Sequence, residues 1–276
     1  MQKNTSFAWL GAVYLFLYIP LFFLIVFSFN STRQDGVFTG FSLRWYAALV
    51  DDARLVEGFF LSLNVAWVTA TLSVVLGSFA AFVLVRYRDS KGFAGRTLFY
   101  GLVNAPLVMP EVIVGMSLLL LMVAVQRTAG WPERGYTTIV LGHTLLGMAY
   151  ATTVIRSRLS ETDRSIEEAA MDLGCRPVQV FLLVTLPNIA PALVAAWLLT
   201  FTLSFDDVVI SEFLSGPGVT TLPQVIFGYA RRGVNPSIYA AATLLIAVVS
   251  LGILAYSVAM LRHRRRIDRD IRQAAM

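Results

Sequence analysis

Glu168-Ala169-Ala170-Met171-Asp172-Leu173-Gly174, with Val184-Thr185-Leu186-Pro187 ten residues beyond Gly174, decides how this chain reads. The first segment is a short polar helix with its own start and stop signals, set among long apolar runs. Ser165-Ile166-Glu167-Glu168 fits a capping box: the Ser165 hydroxyl would accept from the Glu168 amide, and the Glu168 carboxylate would reach back to the Ser165 amide. Gly174 suits the left-handed residue that closes a helix, and Pro177 soon follows. A helix over about 166–174 is expected, with a second starting near Pro177 and running into the next apolar run. A capped polar helix between two membrane spans makes sense as a surface for another protein to push on. An ordinary interfacial helix would carry the same caps, so capping leaves both readings open.

The rest of the chain supplies the membrane. Of 276 residues, 57% are hydrophobic and 14% charged, against about 25% charged in soluble domains. Mean hydropathy is +0.69. Six runs are long enough to cross a bilayer, at about 8–29, 60–85, 97–125, 137–155, 181–205 and 239–261. The first is long for a signal peptide, and no small-x-small cleavage site follows it, so an uncleaved span is expected. No internal repeat or low-complexity segment divides the chain, which reads as one membrane domain over 1–276.

Fifteen of the 22 Lys and Arg residues fall on one side of these spans: Lys3, the groups at 86–96 and 156–176, and the tail from Arg262 to Arg272. The positive-inside rule places that side, both termini and the 166–174 helix in the cytoplasm. The net charge of +5 is then a topology signal rather than a nucleic-acid footprint. The lone Cys175 lies in the same cytoplasmic loop and has no intrachain disulfide partner.

Packing signals follow. Ser62, Ala66, Ala70, Ser73, Gly77 and Ala81 recur at steps of three and four in the second run, a small-residue face for close helix approach. Pro106 and Pro110 interrupt the third, freeing the carbonyls of Leu102 and Pro106, so a kink facing protein or a wet cavity is expected. His143 is expected to hydrogen-bond between helices. No Lys or Arg lies in the central part of any span, and the charged candidates there are acidic: Glu111, and Asp206-Asp207 at the outer end of the fifth. An acidic lining favours cations; helix capping by the aspartates, and a protonated or hydrogen-bonded Glu111 that steadies the kink, are the alternative readings. Trp45 and Tyr46 suit an interfacial belt or cation–π contact with a diamine. The two lysines, Lys3 and Lys91, lie in no P-loop, so the chain has no usual means of hydrolysing ATP. No catalytic or metal-ligating set is expected.

The spacing Glu-Ala-Ala, three residues, Gly, nine residues, Ile, one residue, Leu-Pro is that of the EAA loop in permease subunits of ATP-binding-cassette importers, and this chain resembles it with Val184 for Ile. Phe201-Thr202-Leu203-Ser204-Phe205-Asp206-Asp207, Ser215-Gly216-Pro217-Gly218, Thr221-Leu222-Pro223, Gly233-Val234-Asn235-Pro236, Ala105 to Pro110 and Arg44-Trp45-Tyr46 are similar to the polyamine importer permeases, most of all the putrescine type. Glu111 stands where those relatives have Asp. The resemblance implies an all-α fold of six transmembrane helices with a cytoplasmic coupling helix, the type I importer permease fold. It implies coupling to an ATPase through Glu168, Ala169, Ala170, Gly174 and Pro187, and a substrate pathway near Trp45, Glu111, Ser204, Asp206 and Asp207. The implied partners are a second, non-identical permease, two copies of an ATP-binding subunit carrying ATP and magnesium, and a periplasmic polyamine-binding protein, in a bacterial inner membrane. Spermidine, ferric iron or an oxyanion remain alternative solutes, and a proton-coupled carrier an alternative class, although only the third span is broken.

Overall fold

The computed structural model describes residues 2–32, 37–86, 95–232 and 236–247, with positions 250, 251, 254 and 258 beyond them; of residues 2–6 and 8 only the backbone is described. The basic tail and Gly233-Val234-Asn235 lie outside the described residues. Among the described residues the regular structure is helical, apart from an isolated antiparallel bridge between Asn30 and Phe41. Two compact units are present, one of residues 1–53 and 228–276, the other of Arg54–Phe227.

In the first unit, α1 (Gln2–Ser28) is apolar from Trp9 onward and exposed from Trp9 to Phe23, as lipid contact would require. It ends in a small knot. Asn30 donates from its amide to the Val37 carbonyl (2.7 Å) and accepts from the Thr39 amide (3.0 Å), which pins the loop into α2 (Arg44–Asp51). Farther along, α12 (Pro236–Ala247) holds the first part of the last apolar run, and Tyr239 packs on Phe27.

The second unit holds α3 (Ala53–Arg86, but for its first residue), α4 (Arg96–Val108), α5 (Glu111–Ala129), α6 (Tyr136–Glu161), α7 (Arg164–Asp172), the rod Pro177–Phe205, α10 (Val209–Leu214) and the start of α11 (Leu222–Arg231). With α1, five helices are long and apolar enough to cross a membrane among the described residues. The α3 helix runs about 51 Å at 1.5 Å per residue, longer than the hydrocarbon layer, so its ends reach water.

The small-residue face of α3 is buried throughout, from Ser62 to Ala81. Its purpose is visible at Gly77, where an added Cβ would lie 2.8 Å from the Ala151 Cβ and 2.9 Å from the Thr152 amide nitrogen. At Gly147 an added Cβ would collide with the Ser73 hydroxyl. Backbones in close contact replace the hydrophobic drive that helices lack in lipid. Around this seam, Val65, Val114, Leu118, Ile139, Ile210 and Leu214 form one apolar core and Ile155, Leu159, Ile189 and Ala196 belong to another.

Two expectations change. The segment read as one kinked span over 97–125 is two helices. Pro106 remains inside α4, whereas Met109 and Pro110 are extended (ψ 140° and 134°) and α5 begins at Glu111. A proline disfavours helical backbone in the residue before it, and the break falls at that residue. The fifth span is not uniform either. Between α8 (Pro177–Val180) and α9 (Leu186–Phe205), residues Phe181–Thr185 form a π turn in which the Leu186 amide donates to the Phe181 carbonyl. Pro187 brings no N–H to the carbonyl of Leu183, and the helix ladder slips by one residue just before it.

Candidate functional site

Two groups of residues have chemistry to offer, one at each end of the rod Pro177–Phe205.

At its start sits α7. Its N-cap is Asp163, whose carboxylate accepts from the Ser165 amide at 2.9 Å. That backbone hydrogen bond holds the Asp163 carboxyl below its usual range. Ser165 is therefore already inside the helix, and the expected Ser165–Glu168 capping box is absent. The helix starts two residues earlier than predicted because aspartate and serine are both good caps and the sequence offers both. Its end follows expectation. Gly174 has φ +91°, the Gly174 amide donates to Met171 (2.9 Å) and the Cys175 amide to Ala170 (3.1 Å), the paired bonds of a Schellman end.

The two faces of α7 differ. Glu168, Ala169 and Gly174 are exposed, and Ala170 is half-buried. Ile166, Ala169 and Leu173 share the outer face, with Leu173 87% exposed. Beneath them Glu167 is 6% exposed. It accepts from Arg86 Nη1 at 2.5 Å and from the Thr185 hydroxyl at 2.7 Å. Pro187 is exposed two residues past the π turn. Sequence reasoning passed over Glu167, Arg86 and Thr185. Arg86 and Glu167 are 81 residues apart, and no local spacing marks such a pair.

At the far end, His143 of α6 is 4% exposed and bridges two elements. Its Nδ1 is 2.7 Å from Ser204 Oγ, and its Nε2 is 3.0 Å from Asp207 Oδ2 and 3.2 Å from Ser211 Oγ. A carboxylate only accepts, so Nε2 carries the hydrogen toward Asp207. Asp207 also accepts from the backbone amides of Ser211 (2.8 Å) and Ile210 (3.3 Å), capping α10. Glu111, Ser204 and Asp207 line one small cavity with His143, Thr200 and Leu203. Its volume is about 20 Å³, room for about one water, so a diamine enters only if the helices rearrange. Asp206 is exposed and does not line that cavity. Trp45, in the other unit, is 6% exposed, donates from Nε1 to the Asn30 carbonyl at 2.7 Å and carries the Arg44 guanidinium 4.2 Å from its ring centre. One ring face is thus taken.

Residues 73–269 match the family of binding-protein-dependent transport system inner membrane components. The chain belongs to that family. As a permease component it is the non-catalytic, multi-pass inner-membrane part of an importer, and the proton-coupled carrier reading falls. Over 261 residues it is 49% identical to the putrescine transport system permease protein PotI of Escherichia coli K12, covering 94% of this chain and 92% of that one. It is 36% identical over 250 residues to the spermidine/putrescine transport system permease protein PotC of Haemophilus influenzae, covering 91% and 93%. Among solved structures, a chain of a bacterial transporter involved in the import of the acidic polysaccharide alginate aligns over 95% of this chain and 96% of its own, with TM-score 0.72 and 15% identity. A chain of the MetNI methionine transporter aligns over 75% and 94%, with TM-score 0.59 and 21% identity. These likenesses show the fold, that of the type I importer permeases.

Proposed function

We propose that this permease component carries putrescine, or a closely similar polyamine, into the cytoplasm. The observation that carries the substrate is the 49% identity, over nearly the whole of both chains, to a putrescine permease. The acidic residues fit a dication: Glu111 and Asp207 at the small cavity, and Asp206 exposed at the end of α9. Ser204 and Asp207 also hold His143, so they shape the site as well as lining it.

Energy comes from a partner. A periplasmic binding protein delivers the solute, a second, non-identical permease completes the pathway, and two ATP-binding subunits with ATP and magnesium press on α7 and its counterpart. The outer face of α7 supports this docking, since Ile166, Ala169 and Leu173 group there as one exposed apolar strip rather than as scattered single residues. Both termini lie in the cytoplasm with that face.

Uptake of labelled putrescine in a strain lacking only this gene, with and without complementation, tests the reading. Restored uptake that unlabelled putrescine blocks better than spermidine, sulfate or ferric iron supports it. Stronger blocking by spermidine favours the second reading, which the similarity to the spermidine/putrescine permease keeps in view. Uptake independent of the gene overturns both.

A further inference from the structure

A buried carboxylate is rare unless it is paired, because desolvating it is expensive. Glu167 is buried on the underside of α7 and paired twice, to two different elements. Its Oε2 takes the hydrogen bond from Arg86, the last residue of α3, and its Oε1 takes that of Thr185, the last residue of the π turn. Neighbouring contacts reinforce the joint. Arg164 Nη2, one turn earlier on α7, donates to the Val85 carbonyl at 3.0 Å. Phe82 of α3 meets Phe181 of the π turn edge to face, with ring centres 5.8 Å apart. Three elements therefore converge on a single carboxylate, and one of them is a π turn, a rare helix register that recurs at functional sites.

We propose that Glu167 is the positioning residue through which α7 moves the spans. Its two oxygens tie α7 to the end of α3 and to the π turn at the base of α9, so that a push on α7 is delivered to both spans together. The exposed Glu168-Ala169-Ala170 face receives the push and Glu167 passes it on. The α9 helix carries Ser204 and ends beside Asp207, so the same rod leads to the acidic cavity. The inference rests on the importer reading above for the origin of the push, but its geometry is independent of which solute is carried.

The test uses the whole complex in proteoliposomes: this chain, the second permease, the ATPase and the binding protein. Glu167→Gln keeps an oxygen for Thr185 and loses the charge that pairs with Arg86. The expected result is a fall in putrescine moved per ATP hydrolysed of about five-fold or more, the lower end of typical coupling effects, with ATPase co-purification and basal hydrolysis within about two-fold of the unaltered complex. Arg86→Glu should behave alike, and Arg86→Glu combined with Glu167→Arg should recover coupling that neither single change retains. An unchanged ratio in Glu167→Gln overturns the proposal, as does a loss of ATPase association with the ratio intact in the complexes that remain. Hydrogen exchange gives a readout that needs no solute. In the unaltered complex, nucleotide should change protection at 164–172 and 181–186 together; in Glu167→Gln it should change only the first. Joint changes in the variant overturn the proposal even if putrescine proves to be the wrong cargo, whereas a wrong cargo alone leaves this result standing.

Discussion

Gly174 shows how much a single residue can be asked to do. Its φ of +91° is open to glycine and strained for other residues, and nothing stands within 4 Å of where a Cβ would point. The constraint inside the chain is therefore backbone conformation alone, worth about 1–2 kcal/mol for most replacements. Gly174→Asp adds both the strain and a negative charge at the negative end of the α7 dipole. It should abolish uptake while an immunoblot finds the protein in the membrane at its normal level; normal uptake would remove α7 from the coupling role. The two aspartates at the other end separate just as cleanly. Asp207 accepts from two backbone amides and from His143, so Asp207→Asn leaves a buried donor unmatched, at about 1–3 kcal/mol. A lower melting temperature for the purified protein should follow. Asp206 has no such duties, and Asp206→Asn should leave the melting temperature unchanged while reducing putrescine uptake.

At the scale of elements, the caps and the seams carry the argument. Because Asp163, not Ser165, starts α7, Asp163→Ala should speed hydrogen exchange at the Ser165 amide and through the first turn, while Ser165→Ala should not. The Asp163 carboxyl is held below its usual range in the folded chain, so its contribution is full above the unfolded value and is lost as pH falls through the folded one. The cap therefore works throughout the neutral range and fails only in acid. The seam between α3 and α6 depends on Gly77, whose neighbours include backbone that cannot step aside. Gly77→Ala should destabilise by about 1–3 kcal/mol, the usual cost of overpacking. Gly101→Ala, in a helix with nothing within 4 Å, should be neutral or slightly stabilising. Matched melting curves in detergent decide it. These elements also mark what could be read in advance. The small face of α3 and the left-handed Gly174 were legible because each follows from local sterics, and the prolines announced a kink but not that the run parts into two helices at Pro110. The cap at Asp163, the π turn and the Glu167 joint were not, because each depends on which of several permitted local choices the tertiary contacts select.

For the molecule as a whole, the apolar runs announced a membrane protein, and the spacing of Glu168 through Pro187 announced which kind. The clustering of Glu111, Ser204 and Asp207 around His143 was only half visible. Acidity could be counted along the chain, but a cavity formed by α5, α6, α9 and α10 could not. Orientation is the property that ties these parts to the cell, and we propose it from charge: fifteen of 22 basic residues fall on the side assigned to α7. Cys175 reports on it directly. It is the sole cysteine of the chain, free and half-exposed, and it forms the closing bond of α7 with its own amide. A membrane-impermeant thiol reagent should leave it unmodified in intact spheroplasts and label it in inside-out vesicles, where the cytoplasmic face is open. If α7 is the docking surface proposed above, the ATPase should protect it in those vesicles when present and expose it when stripped away, because Cys175 lies just past the end of α7. Ready labelling from outside would turn the whole topology over, placing α7 where no ATPase could reach it; labelling in inside-out vesicles without protection would keep the topology and move the docking surface elsewhere.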